Sequence, residues 1–262
     1  GYQLSVTDRF GSHKTIHDPY AFDPLLTDYD LHLLGEGTHW DSYARMGAQL
    51  REVGGVKGVN FAVWAPNAEG VSVIGNFNQW SGKAHAMRKH IPGGVWELFI
   101  PGLGVGDLYK FAVKHPGGHV VEKCDPYGFA AELPPRTANI VADLDFAWSD
   151  GQWISQRPER QALDAPMSIY EVHLGSWQRD PQEPDRWLSY REIAPKLVEY
   201  CQRMGFTHIE LMPISEHPFT GSWGYQPVGM FAATSRFGSP TDLMFLIDLC
   251  HQHGIGVLID WV

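Results

Sequence analysis

The side chains best suited to chemistry gather in one stretch, Glu216-His217-Pro218-Phe219-Thr220-Gly221-Ser222-Trp223-Gly224-Tyr225-Gln226-Pro227, and again at Asp260. Aromatic rings beside planar polar groups suit a sugar. A pyranose offers an apolar face of C–H groups that stacks on a ring, and hydroxyls that need directional partners. Trp223 and Tyr225 can supply the rings, Asp260 and Gln226 the partners. On residue types alone the alternative, rings that merely pack the loop down, stays open. Other chemistries fit less well. His251 and His253 have no third ligand at metal spacing and read as a solvated helix end. Cys124, Cys201 and Cys250 are odd in number and far apart, which fits neither a disulfide framework nor a zinc pattern; reduced, mostly buried thiols are expected.

The elements that must position these residues follow a βα rhythm from residue 167. Met167-Ser168-Ile169-Tyr170-Glu171-Val172-His173 reads as a strand. Ser189-Tyr190-Arg191-Glu192 has capping-box spacing, and Ile193, Leu197, Cys201 and Met204 recur at helical spacing until Gly205. Pro195 conflicts with an unbroken helix, so a separate first turn is expected, with Pro195 opening the main helix. Thr207 to Met212 is a second strand. Ser239-Pro240-Thr241-Asp242 opens a second helix, with Ser as cap, Pro at the first position and Asp at the positive end. Leu243, Leu246, Ile247 and Cys250 face inward, Gly254 ends the helix, and Val257-Leu258-Ile259-Asp260 is a third strand. This alternation implies a parallel sheet. A closed (β/α)₈ barrel takes roughly 250 residues, so an incomplete barrel is expected. Its active site would lie at the C-terminal strand ends, where the loop from Pro213 to Arg236, His173-Leu174-Gly175 and Asp260 all fall. Loops longer than about 12–15 residues are usually functional.

Ahead of the barrel, short alternating runs stop at Gly and Pro: Val59 to Trp64, Gly70 to Gly75, Trp96 to Ile100, and Leu108 to Val113. They argue for an antiparallel β-sandwich of immunoglobulin-like form. Trp64 and Trp96 lie within strands and are expected in its core. The expected organisation is a connecting arm (1–34), the sandwich (35–140), a linker without clear period (141–166), and the barrel part (167–262).

The formal net charge of −10 gives no broad attraction for nucleic acid or anionic membranes, and no Lys/Arg run makes a local one. There is no signal-peptide pattern and no apolar run of about 18 residues. A cytoplasmic protein is expected. The start without Met and the apolar end at Val262 suggest a piece of a longer chain.

These motifs resemble a known family. Tyr170-Glu171-Val172-His173-Leu174-Gly175-Ser176-Trp177 resembles the first barrel strand of 1,4-α-glucan branching enzymes, of glycoside hydrolase family 13. Gly205 through Tyr225, GFTHIELMPISEHPFTGSWGY, resembles their second strand and its loop; Thr234-Ser235-Arg236-Phe237-Gly238 continues the match. Val257 to Val262 resembles the start of the first conserved segment of the α-amylase family. Asn60 to Tyr109 resembles carbohydrate-binding module family 48, especially Trp64-Ala65-Pro66-Asn67-Ala68 and Gly75-Asn76-Phe77-Asn78-Gln79-Trp80.

The resemblance implies an enzyme that cuts an α-1,4-glucan and rejoins the piece through an α-1,6 bond. The route is retaining, with an Asp nucleophile, a Glu acid/base and a second Asp. No cofactor and no metal is implied, and the partner is α-1,4-glucan: glycogen, amylose or maltooligosaccharides. Tyr225 would lie under the sugar whose bond breaks, and Asp260 would bond to it. The nucleophile, acid/base and third carboxylate would fall beyond Val262, leaving this chain with no catalytic residue and no activity alone; Asp242, Glu210 and Glu216 do not replace them. Trp80 matches a glucose-stacking aromatic and Lys110 a glucan-bonding lysine, but His115-Pro116-Gly117-Gly118 stands where a second stacking tryptophan belongs. Thr220 replaces a usual Asp, Phe231 a common Tyr, and Ala233 a usual Pro. Two other readings are a related debranching or trehalose-releasing hydrolase and a non-catalytic glucan-binding protein.

Overall fold

The computed structural model describes residues 2–7 and 10–262. Two compact units emerge: Gly1–Gly128 with Ala138–Asp143, and Phe129–Thr137 with Leu144–Val262.

In the first unit, the segment expected as a connecting arm is folded. Strands β1 (Gln3–Thr7) and β2 (His13–His17) pair antiparallel, and α1 (Asp28–Glu36) follows. Thr27 and Asp30 form a reciprocal capping box at its start, and Gly37 ends it at φ 72°. The local signal was there in Thr27 and Asp30, but one short helix carries too few turns to show a period.

Two antiparallel sheets follow. The first has the order β3 (Gly47–Val53), β4 (Val56–Trp64), β7 (Val95–Pro101), β6 (Arg88–His90). In the second, β5 (Gly70–Gly75) takes one edge of β8 (Leu108–Lys114). On β8's other edge, β11 (Asn139–Ile140) pairs its first residues and β9 (Val120–Lys123) its last. Alternate residues of both sheets meet in one core: Val59, Phe61, Leu98 and Ile100 with Val71, Val73, Tyr109 and Phe111. Full burial of such side chains contributes roughly 1.5–3 kcal/mol each. On the first sheet's other face, Leu31 and Leu34 of α1 pack against Leu26, Met46, Ala62 and Val95.

Trp96 lies in the core, but Trp64 is 65% exposed, against expectation. Strand period explains it: Val63 takes the inward position, so Trp64 turns out, its indole N–H donating to Gly93 O at 3.2 Å.

In the second unit, β10 (Ala130–Ala131) comes first. The parallel sheet has the order β12 (Ile169–Val172), β13 (His208–Leu211), β16 (Gly256–Ile259), with Ile169, His208 and Gly256 in register. Helices α4 (Tyr190–Met204) and α5 (Pro240–Gln252) bury Ile193, Leu197, Cys201, Leu246 and Cys250 with Ile209 and Leu211. Burial pushes the Cys201 thiol up to about 11 and that of Cys250 up to about 12, so both remain protonated packing groups. Glu171 and Glu210 sit side by side on the sheet's opposite face. Among the described residues the parallel sheet has three strands and forms no closed barrel.

Three details depart from the sequence reading. Helix α4 is continuous through Pro195, with Ser189 and Glu192 as its capping box. Proline costs the bond to Arg191's carbonyl, and burial of Ile193, Ala194, Leu197 and Val198 outweighs that loss. The expected linker carries α2 (Gly151–Arg160), anchored by buried Trp153. A short helix, α3 (Leu174–Trp177), follows β12.

Candidate functional site

The long loop after β13 is built from its base upward. Strands β14 (Ser215–Glu216) and β15 (Gly229–Ala233) pair antiparallel. At that base Glu216 is buried and fully engaged. Its carboxylate accepts from Ser235 N at 2.7 Å, Ser235 Oγ at 2.9 Å, Thr234 Oγ1 at 3.2 Å and His217 N at 3.0 Å. Arg236 Nη1 donates to it at 2.9 Å and to His217 O at 2.8 Å, while Arg236 Nε and Nη2 reach Thr220 Oγ1. A buried ion pair holds only when its remaining valences are met in this way. The sequence reading does not find this pair: Glu216 enters as the first residue of the chemistry-bearing stretch and is set aside as a catalytic carboxylate, and Arg236 enters as the end of the loop and part of a motif. The pairing of a strand-borne Glu with Arg236 some 20 residues on leaves no periodic trace.

From this base the loop turns back to the strand ends. Trp223 adopts φ 56° and Gly224 φ 88°. A Cβ at Gly224 would lie 2.3 Å from Pro213 O, so only glycine lets the loop approach the end of β13. The Trp223 ring sits 5.7 Å from that of His173. Burial, then neighbouring His217 and Arg179, lower the His173 pKa, leaving its imidazole neutral; its Nδ1 pairs with Ser176 Oγ at 2.9 Å.

Tyr225 and Asp260 meet. The Tyr225 hydroxyl donates to Asp260 Oδ2 at 2.9 Å, and that hydrogen bond is the main cause raising the phenol pKa. Asp260 follows β16, its backbone N–H donating to Leu211 O at 3.0 Å, which fixes it beside the end of β13. The Tyr225 ring is 45% exposed. This arrangement presents a ring and an oriented carboxylate at the C-terminal ends of parallel strands. Gln226 is exposed, with no side-chain hydrogen bond among the described residues. Two other carboxylates are committed elsewhere: Asp242 closes the α5 capping box and pairs with Arg191, and Glu216 holds Arg236.

In the first unit, Trp80 follows a turn pinned by Asn78, whose Oδ1 accepts from Gly75 N at 2.9 Å and whose Nδ2 donates to Val73 O at 2.9 Å. Gln79 and Trp80 both take positive φ, 56° and 61°, and Trp80 is 38% exposed. Lys110 sits opposite Ile74 on β8 and pairs with Glu122 at 3.5 Å. Ser72, Lys110 and Ala112 alternate to the sheet's outer face, and the loop after Trp80 crosses that face, Gly82 lying over Ser72 and Ala112. His251, expected to be solvated, instead binds Asp150 Oδ2 at 2.8 Å and stacks on Trp153.

Residues 45–128 match the family described as carbohydrate-binding module 48 (isoamylase N-terminal domain). The chain is 56% identical over 261 residues to the 1,4-alpha-glucan branching enzyme of Rhodopirellula baltica, covering 99% of this chain and 36% of that protein. It is 51% identical to that of Thermosynechococcus vestitus, covering 100% of this chain and 37% of the relative. The chain thus spans little more than a third of these relatives. A crystal structure of a Salmonella typhimurium protein described as an alpha amylase superposes with a TM-score of 0.62 at 26% identity, over 82% of this chain and 32% of that one.

Proposed function

We infer that this chain, a close relative of 1,4-alpha-glucan branching enzymes carrying a carbohydrate-binding module 48 domain, belongs to an enzyme that cuts α-1,4-glucan and transfers the freed piece into an α-1,6 branch. The parent works on glycogen, amylose or maltooligosaccharides in the cytoplasm. The observation that carries this reading is the Tyr225–Asp260 contact at the strand ends. A ring and a carboxylate held this way can seat one glucose and bond its hydroxyls.

The bond-breaking step needs two carboxylates flanking the scissile bond. Asp242 and Glu216 are tied to Arg191 and Arg236, while Glu171 and Glu210 face each other across β12 and β13 near Tyr225, whose pKa their charge helps to raise. By resemblance to the branching enzymes, the nucleophile, acid/base and third carboxylate are none of these and lie outside these 262 residues, so the chain is inactive by itself. The residues present seat and orient substrate: Tyr225 beneath the sugar, Asp260 at its hydroxyls. On the module, Trp80 stacks on glucan and Lys110 bonds it after parting from Glu122.

The test is iodine staining of amylose with the parent enzyme and with this chain. Loss of stain with new α-1,6 bonds from the parent, and none from the chain, supports the reading. Reducing sugar without α-1,6 bonds from the parent would point to a hydrolase.

A further inference from the structure

We propose that a second carbohydrate-binding site lies in the cleft between α2 and the C-terminal end of α5, and that it takes a neutral α-glucan chain. The proposal rests on the glucan-acting reading for its ligand class, and on the cleft itself for its place.

The cleft measures about 490 Å³, within the range of about 300–1,000 Å³ typical of ligand sites. Its wall is rigid. Trp153 is buried and stacks on His251 with centroids 4.9 Å apart and planes 13° apart, and the Arg160 guanidinium lies 5.8 Å over the same indole. His251 is fixed by Asp150, and His253 by Gln202 at 3.3 Å.

Polar capacity is left over along this wall. Gln156 Oε1 accepts from Arg160 Nε at 3.1 Å, which leaves the Gln156 amide N–H₂ and the two terminal guanidinium nitrogens without protein partners among the described residues. Gln152 makes no side-chain hydrogen bond there either, and Gln252 spends only its amide N–H₂, on Asp248. Planar amides with free donors and acceptors, spaced along one helix, match adjacent hydroxyls of a sugar.

Charge selects among ligands. Arg160 and Asp150 both line the cleft, and buried Asp248 accepts hydrogen bonds from two further lining residues, Ser149 N at 2.8 Å and Gln252 Nε2 at 2.7 Å. The C-terminal turns of α4 and α5 add partial negative charge. An anion therefore meets no surplus of positive charge. A cation meets no group of three ligands among the described residues. A neutral polyhydroxylated ligand fits both facts. Because the Trp153 ring faces are covered, recognition runs through hydroxyls rather than stacking, and millimolar affinity is expected.

The experiment is a fluorine NMR titration of this chain carrying 5-fluorotryptophan, with Trp153 and Trp80 assigned from their Trp→Phe variants. Maltotriose should shift the Trp153 resonance saturably. The Gln152→Ala/Gln156→Ala double variant, which exchanges helix-surface amides for a better helix former, should weaken that response at least about tenfold while leaving Trp80 unchanged. A shift at Trp80 with none at Trp153 overturns this proposal and leaves the glucan reading standing. A shift at Trp153 with phosphate but not maltotriose overturns it in favour of an anion site. An equal shift with sorbitol overturns the glucan assignment, and silence at both tryptophans overturns the site. The iodine assay on the parent enzyme tests the broader reading separately.

Discussion

In the proposed function Tyr225 and Asp260 would divide the work of seating a sugar: the ring would supply apolar surface, while its hydroxyl, bonded to the carboxylate at 2.9 Å, orients that group. The two roles separate by substitution in the parent enzyme. Tyr225→Phe keeps the ring and loses one hydrogen bond, a loss of about 1–1.5 kcal/mol, so kcat/KM should fall about tenfold. Tyr225→Ala removes the platform as well and should cost about 100-fold or more. Asp260→Asn removes the charge proposed to meet the sugar and should lower kcat about 100-fold, in line with the loss of one positioned polar group. Initial rates on amylose check all three, with the melting temperature confirming an intact fold. If Phe proves as damaging as Ala at position 225, stacking is not what the ring does.

At the scale of elements, the loop is only as rigid as its base. Glu216→Gln leaves Arg236 buried opposite a neutral group, and breaking a buried pair typically costs about 3–5 kcal/mol. The strain falls first on β14 and β15, so amide exchange across 215–237 should speed up well before the parallel sheet loosens, and Tyr225 should lose its fixed place. Exchange that stays slow in that segment would mean the remaining bonds from Thr234 and Ser235 suffice. Much of the scaffold under this loop was legible. Ser239, Pro240 and Asp242 announce α5, and Ser189 with Glu192 announces α4, because capping is local chemistry within four residues. Tyr225 and Asp260 were legible by type, but their contact spans 35 residues of sequence. The base of the loop was not legible, since the Glu216–Arg236 pairing depends on the chain folding back. Trp64 and Pro195 misled for the opposite reason: strand phase and tertiary burial overrule what each residue type prefers alone.

At the scale of the whole molecule, the two units should answer acid differently. In the second unit, burial is the leading cause that lowers the pKa of His173, His208 and His217. The ring of His208 is packed over Gly256, where a Cβ would come within 2.3 Å, and its Nε2 has no partner among the described residues. A histidine whose folded pKa lies below its unfolded value near 6.5 binds protons more tightly when unfolded. Stability is therefore full above about pH 6.5 and drains as pH falls through the folded values. All three groups pull the same way. In the first unit, burial pushes Asp125 up to about 6, against hydrogen bonds from Tyr109 and Tyr127 that favour its charge. Its sign is reversed: the folded state holds the proton more tightly, so this group stabilises fully below about pH 4, and the benefit is lost as pH rises through about 6. His85, lowered by burial, offsets part of that gain. Acidification from pH 7.5 to 5.5 should consequently weaken the second unit more than the first. Denaturant melts read by hydrogen exchange in each unit would show the second unit's midpoint falling while the first unit's holds or rises. Replacing His208 by Gln should flatten the second unit's slope, and Asp125→Asn should remove the first unit's compensation. Parallel slopes in both units would mean that these buried groups do not govern the response.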